Sequence, residues 1–367
     1  MATVSITHVG EDVDNAFGLA MERADCTGII RSGDRVLIKP NWNGCSIAAS
    51  TKLVTVLAAC RWACSQGAGE VIVGEGPVPV GRPRIDAYLA EMGALEALSR
   101  VGARFVLFDD DEHVIVANRD DLPREIGIAK LALTCDVLIN IPMLKVHSCC
   151  LTTLCVKNLK GCLRPADKMA FHRIGLLPAV VAMNRLIPAH INLVDAMDAM
   201  EGNHNNGPLV PLGVYIAGRD RVATDAVASA AIGFESGTVP LLKMAANAGL
   251  GECDLDKIDI AGEPLTPQRL QRSQDHLRRN YPDLNIQEAG ACSACSAALM
   301  DGLYTAGSAR TVKSVALGPQ VNPGSDALVI GNCTRKHWSS HDHVSGCPPD
   351  GAAIAKALQK DKADTHD

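Results

Sequence analysis

The chain has 367 residues, more than one compact core usually holds, so one large domain and a smaller one are expected. Hydrophobic residues make up 47%, charged residues 21% and aromatic residues only 3%, which requires a mainly aliphatic core. A net charge of −6 with no basic stripe among aromatics argues against nucleic-acid binding, and no apolar run nears the roughly 18 residues of a membrane span. The first residues, MATVSITHVGEDVDNA, lack a basic and hydrophobic leader, so a cytoplasmic protein with no membrane partner is the expectation.

In chain order, VSITHV (4–9), RVLIKPN (35–41), EVIVGEG (70–76), RFVLFDD (104–110) and CDVLINIPML (135–144) read as buried strands. Helical patterns at 51–66 and 84–98 separate them. Further strands are expected at 192–197 and 213–218, and further helices at 221–232 and 239–248. This alternation predicts an α/β fold, a mostly parallel sheet with helices on both faces. Ligands of such sheets bind outside the carboxyl ends of the strands, where Lys39, Asn41, residues 109–111 and Lys145 fall.

The composition turns polar and basic near 264–287, giving an expected division into an α/β domain with an anion-binding pocket (1–262), a linker (263–289) and a small cysteine-rich, cluster-binding segment (290–367). Within that last segment a short helix is expected at 291–303, a strand at 327–331 and a helix at 351–359.

The sequence contains 14 cysteines. Without an export signal, metal binding is a better use for a cysteine group than a disulfide framework. Cys292, Cys295, Cys333 and Cys347 follow the pattern C-x2-C, C, C, and Cys347 precedes Pro348. Small neighbours leave room for a bulky inorganic core, so a [4Fe-4S] cluster is favoured over structural zinc and over unrelated thiols. His337, His341 and His343 lie between the last two cysteines and are left to a solvated loop. Cys26, Cys60, Cys64, Cys135 and Cys253 read as small core residues.

The segment IPMLKVHSCCLTTLCVKNLKGCL gathers Lys145, His147, Lys157, Asn158 and Lys160. A strand ending near Leu144 and a helix beginning near Leu151 would put Lys145 and His147 in a loop facing a helix N-terminus, which suits a carboxylate or phosphate group. His147 then serves as proton donor. The competing reading is an ordinary charged helix face. Asp195, Glu201 and Asn203 form a second polar group, and Asp225 reads as a helix cap.

The phrases VLIKPN, IPMLKVH, TLCVKNLKG, FHRIG, VDAMDAMEGN and GVYIAGRDRVATDAVA resemble, in order, the bacterial and archaeal family called domain of unknown function 362. The resemblance implies the fold and a pocket rather than a reaction. By motif position it makes Lys39, Asn41, Lys145, His147, Lys157, Asn158, Lys160 and His172 the pocket residues. Several relatives carry four-cysteine cluster segments, in keeping with this tail.

Neither G-x-G-x-x-G after a strand nor a P-loop is present. The leading functional expectation is an iron-sulfur oxidoreductase. It takes single electrons from a ferredoxin-like donor and delivers them to an anionic small-molecule substrate, with His147 and Lys145 catalytic and Lys39, Asn41, Lys157, Asn158, Lys160 and His172 binding. The alternatives are a ligand-binding or sensor protein with a structural cluster or zinc, and a non-redox lyase. Oligomeric state, a homo-oligomer included, stays open.

Overall fold

The computed structural model describes residues 1–44, 46–78, 81–118, 123–264, 266–307 and 310–359, apart from the side chains of 274, 276 and 278. Within the glycine-rich GEGPVPVG stretch, residues 79 and 80 lie outside that description. Two units emerge. The first comprises residues 1–145, 152–200 and 209–270, and the second 146–151, 201–208 and 271–367.

The strands of the first unit are β1 (Ala2–His8), β2 (Arg35–Pro40), β3 (Glu70–Glu75), β4 (Ala103–Leu107), β5 (His113–Ala117), β6 (Glu125–Ala129), β7 (Val137–Ile141), β8 (Met143–His147), β9 (Leu151–Thr153), β10 (Ile191–Met200), β11 (Leu209–Gly218) and β12 (Ile258–Gly262). The division between units passes through β8 and β9. The main sheet runs β12-β1-β11-β10-β7-β2-β3-β4, with β8 and β9 off this path and β5-β6 as a separate antiparallel pair. Along the path only β11 is antiparallel to its neighbours. The expected mostly parallel α/β sheet is therefore present.

Its central strands β2, β3 and β7 are buried on both faces, as their unbroken aliphatic runs require. Val36, Ile38, Val71, Val73, Val137 and Ile139 join one core with Phe17, Met21, Val56 and Cys60 of the helices Val13–Arg23 and Leu53–Ser65. The alternate residues Leu37, Ile72 and Leu138 point to the other face and are equally buried. The helix Arg221–Ala231 is capped by Asp220, which accepts from the Val222 and Ala223 amides.

Three local readings need correction. The single strand expected over 135–144 is broken at Pro142 into β7 and β8, because proline supplies no ladder donor. Lys145 and His147 therefore lie on strand β8, not in a loop. No helix starts at Leu151; β9 comes first, then one helical turn, Cys155–Asn158, and a 3-10 turn, Leu159–Cys162. The helix expected over 84–98 is split into Ile85–Glu91 and Ala94–Arg100 by Gly93, whose φ of +64° is left-handed.

In the second unit, β13 (Asn285–Glu288), β14 (Ser314–Leu317), β15 (Leu328–Ile330) and β16 (His343–Val344) form a parallel sheet in that order. Leu299, Leu303, Ile354 and Leu358 of the helices Ser293–Ala306 and Gly351–Gln359 pack on Val315, Leu317, Leu328 and Ile330. Within 263–289, read as a linker, the second unit starts at Gln271 and contains the helix Ser273–Asn280 and β13. Among the described residues no helix is long and apolar enough to cross a membrane.

Candidate functional site

The chain passes outward from β2 to β3 and β4, then returns to β7 on the other side of β2, which makes the β2/β7 junction a topological switch point. At its carboxyl end the buried Asn140 amide donates to Cys155 O (3.0 Å) and Asn192 Oδ1 (3.1 Å). Asn158 Nδ2 donates to Asn140 Oδ1 (2.9 Å) and to the Lys39 and Pro40 carbonyls (3.3 and 3.2 Å). The 155–162 turn is thereby fastened across both strand ends. Asp225 holds its start, accepting from the Cys155 and Val156 amides at 2.7 and 2.9 Å. Asp225 is a cap, as expected, but of this turn rather than of its own helix. Burial pushes its carboxyl up to about 7.

The lysines divide by partner. Lys39 forms a buried ion pair with Glu75 (2.7 Å), and Lys168 forms another with Asp109 (2.8 Å). Burial lowers the Lys168 ammonium while Asp109 and Glu75 counteract it. Lys145 Nζ meets Asn41 Oδ1 and Ala49 O, both at 2.7 Å. Lys160 Nζ lies 3.0 Å from His172 Nε2. Burial first, then Lys160 and Lys157, drive the His172 imidazole down to about 3, so it is the neutral acceptor of that pair. Lys157 is half-buried. Lys39 is thus committed to the interior, and the pairs bring in Glu75 and Lys168, which sequence reasoning missed. Glu75 closes a strand beside Gly76 and could have been found there; Lys168 on the helix Pro165–Ile174 carries no such signal.

A cleft of about 320 Å³ opens at the same end of the sheet, lined by Thr51, Lys52, Val54, Met143, Asp195 and Asp198 among others. Asp195 accepts from Lys52 N, Thr55 Oγ1 and Met197 N, and Lys52 pairs with Asp198 at 2.5 Å.

In the second unit Cys292 is the N-cap of Ser293–Ala306 and Cys295 lies in its first turn. The neighbouring Cys295 thiol first, and then the backbone of the turn, hold the Cys292 thiol down to about 5 against the opposing effect of burial. Cys295 is raised by the Cys292 thiol, by burial and by the charge of Cys292, Cys333 and Cys347. A Cβ on Gly331 would stand 3.1 Å from Cys295 Sγ and 3.7 Å from Cys333 Sγ. Gly331 N donates to Val344 O, Asn332 N to Gly346 O and Gly346 N to Asn332 Oδ1, which ties the Cys333 and Cys347 loops together. Cys333 and Cys347 are exposed. Among the described residues no three His, Cys, Asp or Glu side chains form the ligand group of a single metal ion.

His147 also belongs to this unit. Its Nδ1 accepts from the Cys149 and Cys150 amides (3.0 and 3.3 Å), and its ring lies 4.3 Å from that of His204. His204, absent from the sequence reading, sits on the 201–208 excursion, where Asn203 and Asn205 bond to Asp301 (2.7 and 2.8 Å). Each of the two units thus holds part of the predicted set: Lys39, Asn41, Lys145, Lys157, Asn158, Lys160 and His172 in the first, and His147 with the four cysteines in the second.

The first unit defines an α/β protein with a crevice at the switch point of a mostly parallel sheet. Residues 36–230, more than half of the chain, match the family described as domain of unknown function (DUF362), and the chain belongs to that family. It is 29% identical over 234 residues to the thylakoid-associated protein sll1697 of Synechocystis sp., covering 60% of this chain and 70% of that protein. A structural comparison with the lactate racemase apoprotein from Thermoanaerobacterium thermosaccharolyticum covers 98% of this chain and 81% of that one, with a TM-score of 0.46 at 11% identity.

Proposed function

We propose that the chain is an iron-sulfur protein acting as an oxidoreductase. In this reading Cys292, Cys295, Cys333 and Cys347 hold one [4Fe-4S] cluster, which supplies single electrons from a ferredoxin-like donor for an anionic small-molecule substrate. The observation that supports the reading is the approach of Cys295 and Cys333 at Gly331, where a missing side chain leaves space beside both sulfurs. The donor set fits the group: all four are thiols, and a cubane spreads them over four irons rather than crowding them about one ion. The lowered Cys292 thiol favours the thiolate form that binds iron.

The exposure of Cys333 and Cys347 gives an electron carrier access to this end of the unit. Lys145, Lys157 and Lys160 supply positive charge for substrate recognition, and His147, its Nδ1 held as an acceptor, is left with Nε2 as the atom that donates a proton. A cytoplasmic setting suits both the thiols and a small electron carrier.

The test is EPR on protein purified without oxygen, before and after reduction with dithionite and with a reduced ferredoxin. A signal from a one-electron-reduced cubane that appears with both reductants supports the reading. A protein that stays EPR-silent with both after iron and sulfide reconstitution overturns it.

A further inference from the structure

We propose that the cleft of about 320 Å³ beside the helix Leu53–Ser65 is a binding site for a monocarboxylate with a medium-length aliphatic chain; it lies wholly in the first unit and stands without the iron-sulfur reading above. Its apolar walls come from separate segments: Ile47 after β2, Val54 on that helix, Met92 at the end of Ile85–Glu91, Met143 on β8 and Leu209 at the start of β11. Ile47, Val54 and Leu209 are 38%, 46% and 42% exposed. Single surface aliphatics need no explanation, but three drawn from distant parts of the chain onto one concavity form an apolar patch of the kind that marks a ligand groove. Met92 and Met143 add unbranched, polarisable side chains that adapt to an aliphatic chain. The volume lies at the lower end of the range of about 300–1,000 Å³ usual for small-molecule sites, which suits a medium chain rather than a whole lipid.

The charged side chains of the lining set the polar end of the ligand. Asp195 is buried and already accepts from Lys52 N, Thr55 Oγ1 and Met197 N, so its carboxylate is taken up by the protein. Lys52 is the cation of the lining among the described residues, and its ammonium has three donors, of which the bond to Asp198 at 2.5 Å uses one. A ligand carboxylate can therefore join Lys52 without displacing Asp198. The start of the helix favours the same sign of charge. Its N-cap, Lys52, offers the first-turn amides no side-chain acceptor, and Leu53 and Val54 of that turn line the cleft, so the positive end of the helix adds to the ammonium. An amine would meet both unfavourably. The aliphatic walls thus take the chain, and Lys52 takes the carboxylate.

The experiment is isothermal titration calorimetry of the full chain with octanoate, octanol and octylamine. Octanoate is expected to bind about tenfold more tightly than the alcohol or the amine, the effect of one hydrogen bond to a charged group. Lys52→Met should bring octanoate down to the affinity of octanol and leave octanol itself unchanged. Val54→Asn and Leu209→Asn, at exposed positions that the fold does not need, should each weaken octanoate and octanol alike by about fivefold, because the chain loses an apolar wall. Wild type that binds no octanoate overturns the proposal, and so does octanoate binding that both Asn variants leave unchanged. Octylamine bound as tightly as octanoate, or octanoate binding that Lys52→Met leaves unchanged, overturns it at the carboxylate. Each of these results is independent of iron content, so the proposed function stands or falls separately.

Discussion

Lys39 Nζ lies 2.7 Å from Glu75 Oε1, and the two side chains are 1% and 3% exposed. The ammonium also donates to Pro40 O, and the carboxylate accepts from the Trp42 and Gly76 amides at 2.8 and 2.9 Å. A charge buried this deeply is tolerable only with its partner. Lys39→Met is expected to cost about 3–5 kcal/mol in urea unfolding, because Glu75 is left as an uncompensated carboxylate. In Lys39→Met/Glu75→Gln the loss should fall short of the sum of the single effects by about 1–3 kcal/mol. Additive losses would show that the two groups are not coupled.

His172 sets a pH dependence. Its imidazole titrates near 3 in the fold against an ordinary 6.5. Below 6.5 the unfolded chain binds a proton that the folded chain refuses, so stability from the neutral ring is present above 6.5 and is lost as the pH falls towards 3. Between pH 7 and 5 wild type should lose about 1–2 kcal/mol more than His172→Gln. Urea unfolding of both proteins at the two pH values decides; equal losses would mean that His172 ionises normally in the fold.

Asp225 crosses from one helix to cap another segment, and its loss should free that segment. Asp225→Ala leaves the Cys155 and Val156 amides without their acceptor and is expected to cost about 2–4 kcal/mol. Asp225→Asn keeps one acceptor oxygen and should cost less. Thermal unfolding would separate the two, and an Ala variant as stable as Asn would show that the bonds contribute nothing net.

How far the sequence revealed this molecule varies with the kind of signal. Aliphatic runs such as RVLIKP and EVIV are buried on both faces and mark parallel strands well, so β2, β3 and their order of alternation were legible. The strand Asn285–Glu288, reading NIQE, is polar and short, lies at the edge of its sheet and gave no such pattern. The cysteine spacing drew attention to Cys292 and Cys295, but nothing in it pointed to Cys149, which reaches Ser293 from 144 positions away. Lysine clustering likewise marked a region without showing that Lys39 is consumed by Glu75, since ion pairs depend on which strand ends the topology brings together.

Gly331 offers a test of the cysteine site by steric means. Its φ is +91°, and a Cβ there would crowd Cys295 Sγ at 3.1 Å and come into contact with Cys333 Sγ at 3.7 Å. Gly331→Ala should lower iron uptake on reconstitution by more than half, whereas Gly324→Ala, whose Cβ would meet only Asp326 Oδ1 at 3.6 Å, should load as wild type does. Iron per chain and visible absorption give the comparison, and equal loading by both variants would mean that the space beside Gly331 is not used.

Metal analysis of the chain purified without oxygen decides whether four thiolates of the second unit carry one iron-sulfur cluster, as proposed. About four irons per chain, little zinc, and loss of that iron on replacing Cys292, Cys295, Cys333 or Cys347 by Ser are predicted. One zinc per chain, or no metal after reconstitution with iron and sulfide, would contradict it.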